Sequence, residues 1–185
     1  MIFAKHLLGI IADNASSSTV WGCVLTLINM HPAPSCASYS DAFIAQLHEL
    51  FEEKIVFNRV LGLKITALAP EGVSGRIAMR PELIGHYAHQ RMHGGVTSAA
   101  LDAMAGLSIM AVMAARQPGV PLEKLFAKLG TIDLRIDYLR PAIGPHFDLR
   151  AQVLRLGSRV AHTRMECRGA DGELLAVGSG AYIVA

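Results

Sequence analysis

GGVTSAALDAMAGLSIMAVMAAR, from Gly94 to Arg116, has the length of a helix and is small or apolar on every side. A helix of that kind is buried all round rather than laid on a surface. Ala99, Ala100, Ala103, Ala105 and Gly106 let neighbouring backbone come close, and Gln117-Pro118-Gly119 ends the run. Between Gly94 and Ala115 the only ionisable side chain is Asp102. A lone carboxylate in such a segment is costly to bury unless it is paired, protonated or in use.

The segments on either side have other periods. Upstream, Ser40-Asp41 reads as an N-cap for an amphipathic helix over Ala42–Lys54, with its stripe at Phe43, Ile44, Leu47, Leu50 and Phe51. Leu63–Leu68 and Val73–Arg80, joined by Ala69-Pro70-Glu71-Gly72, read as a hairpin, and Pro81–Met92 as a polar, His-rich loop. Downstream, Leu122, Leu125, Phe126 and Leu129 mark one or two helical turns between Pro121 and Gly130, expected as a lid over the site or as core. Thr131–Tyr138 then alternates cleanly, which puts Thr131 with Asp133, Arg135 and Asp137 on the face opposite Ile132, Leu134 and Ile136. His146–Leu156, Val160–Arg168 and Leu174–Val184 complete the strands. Neighbouring strands with a single central helix mean an α+β fold, an antiparallel curved sheet wrapped around one long helix.

Composition narrows the function classes. The 185 residues, 52% hydrophobic and 17% charged, suit one domain with a sizeable core, expected over residues 39–185. Residues 1–38 form an N-terminal extension, with apolar runs at Ile2–Ile11 and Val20–Met30 interrupted by Lys5, Asp13, Asn14 and Ser16–Ser18. The polar block argues against a signal peptide, and Met30 is the expected natural start. No run reaches the length of apolar residues expected of a membrane span. A net charge of +2 is too mild to imply nucleic acid. The cationic surplus of Lys128, Arg135, Arg140, Arg150, Arg155, Arg159, Arg164 and Arg168 suits solvated strand faces or an anionic small molecule. Cys23, Cys36 and Cys167 are scattered without metal spacing, as free thiols of a reducing compartment, the cytoplasm, are.

The helix start supplies the second half of a site. Backbone N–H groups there point at an anion or a developing oxyanion, and Gly94 and Gly95 let a ligand approach. Gly94 and Asp102 are eight residues apart, about 12 Å along the helix. A general base must lie within about 3 Å of the proton it takes. If both groups act on one carbonyl they come from different chains, and the site is shared in a dimer. The alternative is that Asp102 pairs locally, with Ser98 or a basic strand residue.

HGGVTSAALD (His93–Asp102), followed by GTIDLRIDYLRP (Gly130–Pro141), resembles the PaaI/YigI-type hotdog acyl-CoA thioesterases, and the similarity covers roughly Tyr39–Ala185. The resemblance implies an aspartate, Asp102, as general base or nucleophile on the thioester of an acyl-CoA. It implies a carbonyl polarised by the Gly94 N–H and a water held by Thr131. His93 would orient the loop or the thioester, or only hydrogen-bond within the loop. The family often carries an Asn or Gln before HGG; here the stretch is GHYAHQ, so Gln90, His86 or His89 is expected in that role. Arg140 and Arg159 stand where family members meet the phosphates of coenzyme A. The chemistry calls for no metal and no cofactor beyond the coenzyme A of the substrate, and the partner is a second copy, in a homodimer or a tetramer built from it. A hotdog dehydratase or hydratase using His93 with Asp102, and a non-catalytic acyl-CoA-binding module, are the competing classes. Met104, Met110 and Met113 are pocket linings or plain core.

Overall fold

The computed structural model describes residues 39–69 and 71–185; the extension, with Met30, Cys23 and Cys36, lies outside the described residues. Ser40 caps the first helix as its position predicts, its hydroxyl accepting the Phe43 N–H at 3.3 Å. Helix α1 (Asp41–His48) runs into a π-helical turn (Glu49–Lys54) rather than continuing as one α-helix. The stripe still does its work, since Leu47, Leu50 and Phe51 are buried. Helix α2 (Val56–Leu61) follows unannounced, with only Asn58 and Leu61 buried. Its anchor is polar: the Asn58 amide donates to the Phe51 carbonyl at 2.9 Å. Hydrophobic periodicity cannot see such a helix. Gly62, at φ +70°, ends it in the left-handed conformation that glycine takes without strain.

Strands β1 (Leu63–Ala69) and β2 (Gly72–Ala78) form the expected hairpin, with a bulge between Ile65 and Ala67. The expected loop over Pro81–Met92 instead holds a small antiparallel ribbon, β3 (Ile84–His86) and β4 (Arg91–Met92), set between 3-10 turns. Helix α3 occupies Gly94–Arg116 and α4 the short segment Leu122–Phe126. Strands β5 (Gly130–Tyr138), β6 (His146–Leu156), β7 (Val160–Gly169) and β8 (Leu174–Ile183) complete the sheet. Its order is β1-β2-β6-β7-β8-β5, antiparallel throughout, with β1 and β5 at the edges. With α3 packed on β6 and β7, this is the hotdog arrangement.

From Met104 to Ala111 every residue of α3 is buried, among Phe147, Leu149, Met165 and Cys167 of the sheet. Met104, Met110 and Met113 are therefore core. By length and composition alone α3 qualifies as a membrane-crossing helix, contrary to the expectation that no run does; its apolar window is 61% buried within the fold. Cys167 is free and buried, and burial, with Asp148 nearby, pushes its thiol up to about 12. The N-terminal third of α3 differs from the rest. Gly94, Val96, Ser98, Ala99, Asp102 and Ala103 are only partly covered, because that end opens towards the site.

The helix reaches the sheet through a glycine. A β-carbon on Gly75 would stand 2.8 Å from the Met104 sulfur and 3.0 Å from the Lys64 carbonyl oxygen. Gly75→Val should therefore cost about 1–3 kcal/mol of overpacking strain. A urea midpoint equal to that of the unmodified protein would show that α3 does not seat on β2 in this way.

Candidate active site

Asp102 projects from α3 towards the start of β5 and the end of β8. Two hydroxyls meet it there, and both donate to the same oxygen: Thr131 to Oδ1 at 3.0 Å and the Tyr182 phenol to Oδ1 at 2.9 Å. Ser98, a candidate partner from sequence, turns away and donates to the Gly95 carbonyl at 3.1 Å. Among the described residues no basic side chain pairs with Asp102, and no protein donor reaches its Oδ2.

Strict alternation puts Thr131 on the outer face, and a bulge corrects it. Thr131 pairs with Tyr182 and Asp133 with Ala181, so Ile132 is an extra residue in β5. Ile132 turns outward, 58% exposed, while Thr131 comes onto the inner face beside Tyr182. Tyr182 was not foreseen, because Leu174–Val184 reads as uniformly apolar. The available signal was chemical: a tyrosine buried in an apolar strand needs a partner for its hydroxyl. Burial first, then the negative charge and acceptor oxygen of Asp102, push its phenol up, so it remains a protonated donor. These groups open into a cavity of about 270 Å³ whose walls include Phe51, Phe57, Phe126 and Leu129. Of the expected lid, Phe126 and Leu129 face this cavity, whereas Leu122 and Leu125 are core.

The helix start is organised by His93. Its Nδ1 accepts the Gly95 N–H at 2.9 Å, and its carbonyl accepts those of Val96 and Thr97 at 3.0 and 3.4 Å. Of the first-turn donors that a helix leaves unpaired, the Gly94 N–H alone remains without a protein acceptor among the described residues. The Gly95 N–H is committed to the cap. Gly94 is fixed from the other side, its carbonyl accepting the Tyr138 hydroxyl at 2.8 Å. Gly85 is needed where the ribbon crosses, since a β-carbon there would lie 2.6 Å from the His93 α-carbon. Gly94 lines a second cavity, about 550 Å³, with His93, Tyr138 and Arg140.

One chain thus separates the groups expected to act together: Asp102 and Thr131 are in one cavity, Gly94 and His93 in another. Arg140 is in the second cavity, its Nε 2.7 Å from a Glu173 oxygen. Arg159 sits at the opposite end of the sheet, next to Val160, which pairs with Ile183 and through it neighbours Gly130. Gln90, His86 and His89 line neither cavity. Gln90 spends its amide on the Tyr87 carbonyl at 2.7 Å, and the His86 and His89 rings lie against each other, tilted by 33° with centroids 4.6 Å apart.

The sequence profile of the thioesterase superfamily matches residues 89–176. The medium/long-chain acyl-CoA thioesterase YigI of Escherichia coli is 33% identical over 139 residues, 74% of this chain and 90% of that protein. The chain belongs to the thioesterase superfamily. A crystal structure of a thioesterase-superfamily protein from Shewanella oneidensis is 40% identical, covering 76% of this chain and 94% of that one, with a TM-score of 0.71. A candidate thioesterase from Syntrophus aciditrophicus is 39% identical over 78% of this chain and 97% of its own, at a TM-score of 0.69. As a thioesterase the protein is a hydrolase. The profile match takes in His93, Gly94, Asp102 and Thr131 and stops short of Tyr182.

The capping geometry of this thioesterase is open to measurement. His93→Ala should cost about 1 kcal/mol, the usual loss for an N-cap, and His93→Asn should restore most of it, because Asn caps well. Equal stabilities of the alanine and asparagine variants by chemical denaturation would remove the cap role.

Proposed function

We propose that this protein is an acyl-CoA thioesterase whose active sites are shared between the subunits of a homodimer. The observation that carries the reading is the division of the machinery: a carboxylate with one uncommitted oxygen in one cavity, a single uncommitted backbone N–H in another. Strand β5 is an edge strand, with an open row of backbone groups that natural proteins tend to cover. Two copies joined antiparallel through β5 bring the Gly130 end of one strand to the Tyr138 end of the other. Asp102, Thr131 and Arg159 of one chain then approach the partner subunit's His93, Gly94 and Arg140. A two-fold interface repeats that meeting twice, and a tetramer of such dimers leaves it unchanged.

In this arrangement Asp102 takes a proton from a water attacking the thioester carbonyl, or attacks that carbon itself to form an anhydride that water then hydrolyses to the free acid, restoring the carboxylate. The partner's Gly94 N–H stabilises the oxyanion, and coenzyme A leaves as thiolate. The Thr131 proton lies on Asp102, so its oxygen is left to accept a hydrogen bond from the water. Arg140 and Arg159 serve the coenzyme A phosphates, and His93 serves through the cap. The acyl chain lies in the Asp102 cavity, whose apolar walls suit the medium to long chains for which YigI is named. Such a substrate places the enzyme in the cytoplasm, where free thiols persist.

Asp102→Asn should keep fold and binding but lower turnover of acyl-CoA by at least about a hundredfold, the scale of a lost general base. Gly94→Pro should inactivate by removing the one free donor, with little cost to the helix, since proline is tolerated at its first position and His93 at ψ 135° suits a following proline. Heterodimers of the two inactive variants contain one intact site and should regain activity. Inactive heterodimers would overturn the shared site, and a near-normal Asp102→Asn would overturn the role of the carboxylate.

Chain length has its own test at Gly106, where a β-carbon would lie 3.4 Å from Leu129 and 4.0 Å from Phe51. Gly106→Leu should displace the far end of the chain at about 0.8 kcal/mol per methylene. Loss of two methylene sites lowers kcat/KM for long acyl-CoAs by about tenfold while short ones are spared. An equal loss for every length would place the acyl chain elsewhere.

A further inference from the structure

We propose that Tyr182 is a positioning residue for hydrolysis: its phenol joins the Thr131 hydroxyl in claiming one oxygen of Asp102 and so designates Oδ2 as the reacting atom. The inference rests on the reading of Asp102 as the hydrolytic carboxylate. It adds a residue that lies beyond the stretch matched by the superfamily profile.

The geometry is specific to a hydroxyl at this place. Tyr182 is 1% exposed, and its oxygen is 2.9 Å from Asp102 Oδ1. Thr131, its cross-strand neighbour, delivers a second proton to that same atom at 3.0 Å. An aspartate on a helix is otherwise free to rotate about its side-chain bonds and exchange its two oxygens. Donors arriving from two adjacent strands hold the plane of the group, because rotation out of it breaks both bonds, and the oxygen they leave unclaimed is turned to the cavity. The pair also supplies hydrogen bonds to a carboxylate in a cavity whose other walls carry no charge, Asp102 and Tyr182 being the only ionisable groups that line it among the described residues. The high-lying phenol does not compete for the role of base, since it holds its proton.

The seat of the ring is built for it. A β-carbon on Gly180 would stand 2.7 Å from a Tyr182 ring carbon and 2.9 Å from its hydroxyl oxygen. Residues 180 and 182 share a face of β8, so only glycine leaves the phenol its line to Asp102.

Tyr182→Phe removes one oxygen and keeps the ring in that seat. In the full chain, with a medium-chain acyl-CoA as substrate, kcat should fall by about tenfold or more, the scale of a hydrogen bond to a charged group. KM should stay within about twofold, because the ring still fills its place and only a contact to the base is lost. The pH–rate profile is a second readout, which the loss of a merely structural ring contact would leave unchanged. Gly180→Ala, which displaces the phenol without deleting it, should give the same kcat-selective loss and serves if the phenylalanine variant does not fold. Unchanged kcat and pH profile in Tyr182→Phe, or in Gly180→Ala where that variant is the one that folds, would reduce Tyr182 to a core aromatic. Asp102→Asn measured in parallel separates the two readings. If it is inactive while Tyr182→Phe is normal, only the positioning role falls; if it is active, the hydrolytic reading falls and takes the positioning role with it.

Discussion

The constraint on which the structure turns is that a carboxylate must be held where the open end of an apolar helix passes into its buried part. Asp102 has no cation beside it among the described residues, and the fold answers with hydroxyls. The two neutral donors satisfy one oxygen without placing a second charge in the apolar cavity. The residues that supply them, Thr131 and Tyr182, face each other across β5 and β8, so the outer end of the sheet exists in this form partly to hold one oxygen atom.

A straight helix cannot bend its own start back to its third turn, and this rigidity separates the Gly94 N–H from the Asp102 carboxylate. The chain then works economically at each place. At the helix start His93 takes up the Gly95 and Val96 donors through its ring and its carbonyl, its own N–H goes to the Leu83 carbonyl, and one of the four first-turn donors is left. At the third turn one of two carboxylate oxygens is held and the other left. Each of the two places thus presents a single unsatisfied group among the described residues, and β5 lies at the edge of the sheet.

Much of this was legible in the sequence, and the reasons are physical. A helix apolar on all sides must be buried, and among strands of alternating pattern its place is the centre of the fold, so α3 and its bounds followed from composition and context. The isolation of Asp102 and the glycines at 94 and 95 marked the site because charge and backbone exposure are both costly. What stayed hidden depends on contacts rather than on period. Helix α2 is held by the Asn58 amide, and the π-helical turn before it leaves no mark in a hydrophobic stripe. The ribbon over 84–92 is too short to alternate. Thr131 was found through its family position but assigned to the wrong face, and Tyr182 was lost among apolar neighbours. Gln90 has the amide chemistry of a ligand and spends it on its own turn.

The bulge at Ile132 acts as a break in phase. From Asp133 to Tyr138 the strand keeps one reading frame of inward and outward side chains, while Gly130 and Thr131 keep the other. The two ends of β5 are thereby uncoupled. A register slip in the outer stretch, which in a regular strand would carry every side chain to the opposite face, can be absorbed at the extra residue before it reaches Thr131. The edge of the sheet can vary to suit a neighbouring chain while the threonine that serves the carboxylate stays in step with β8.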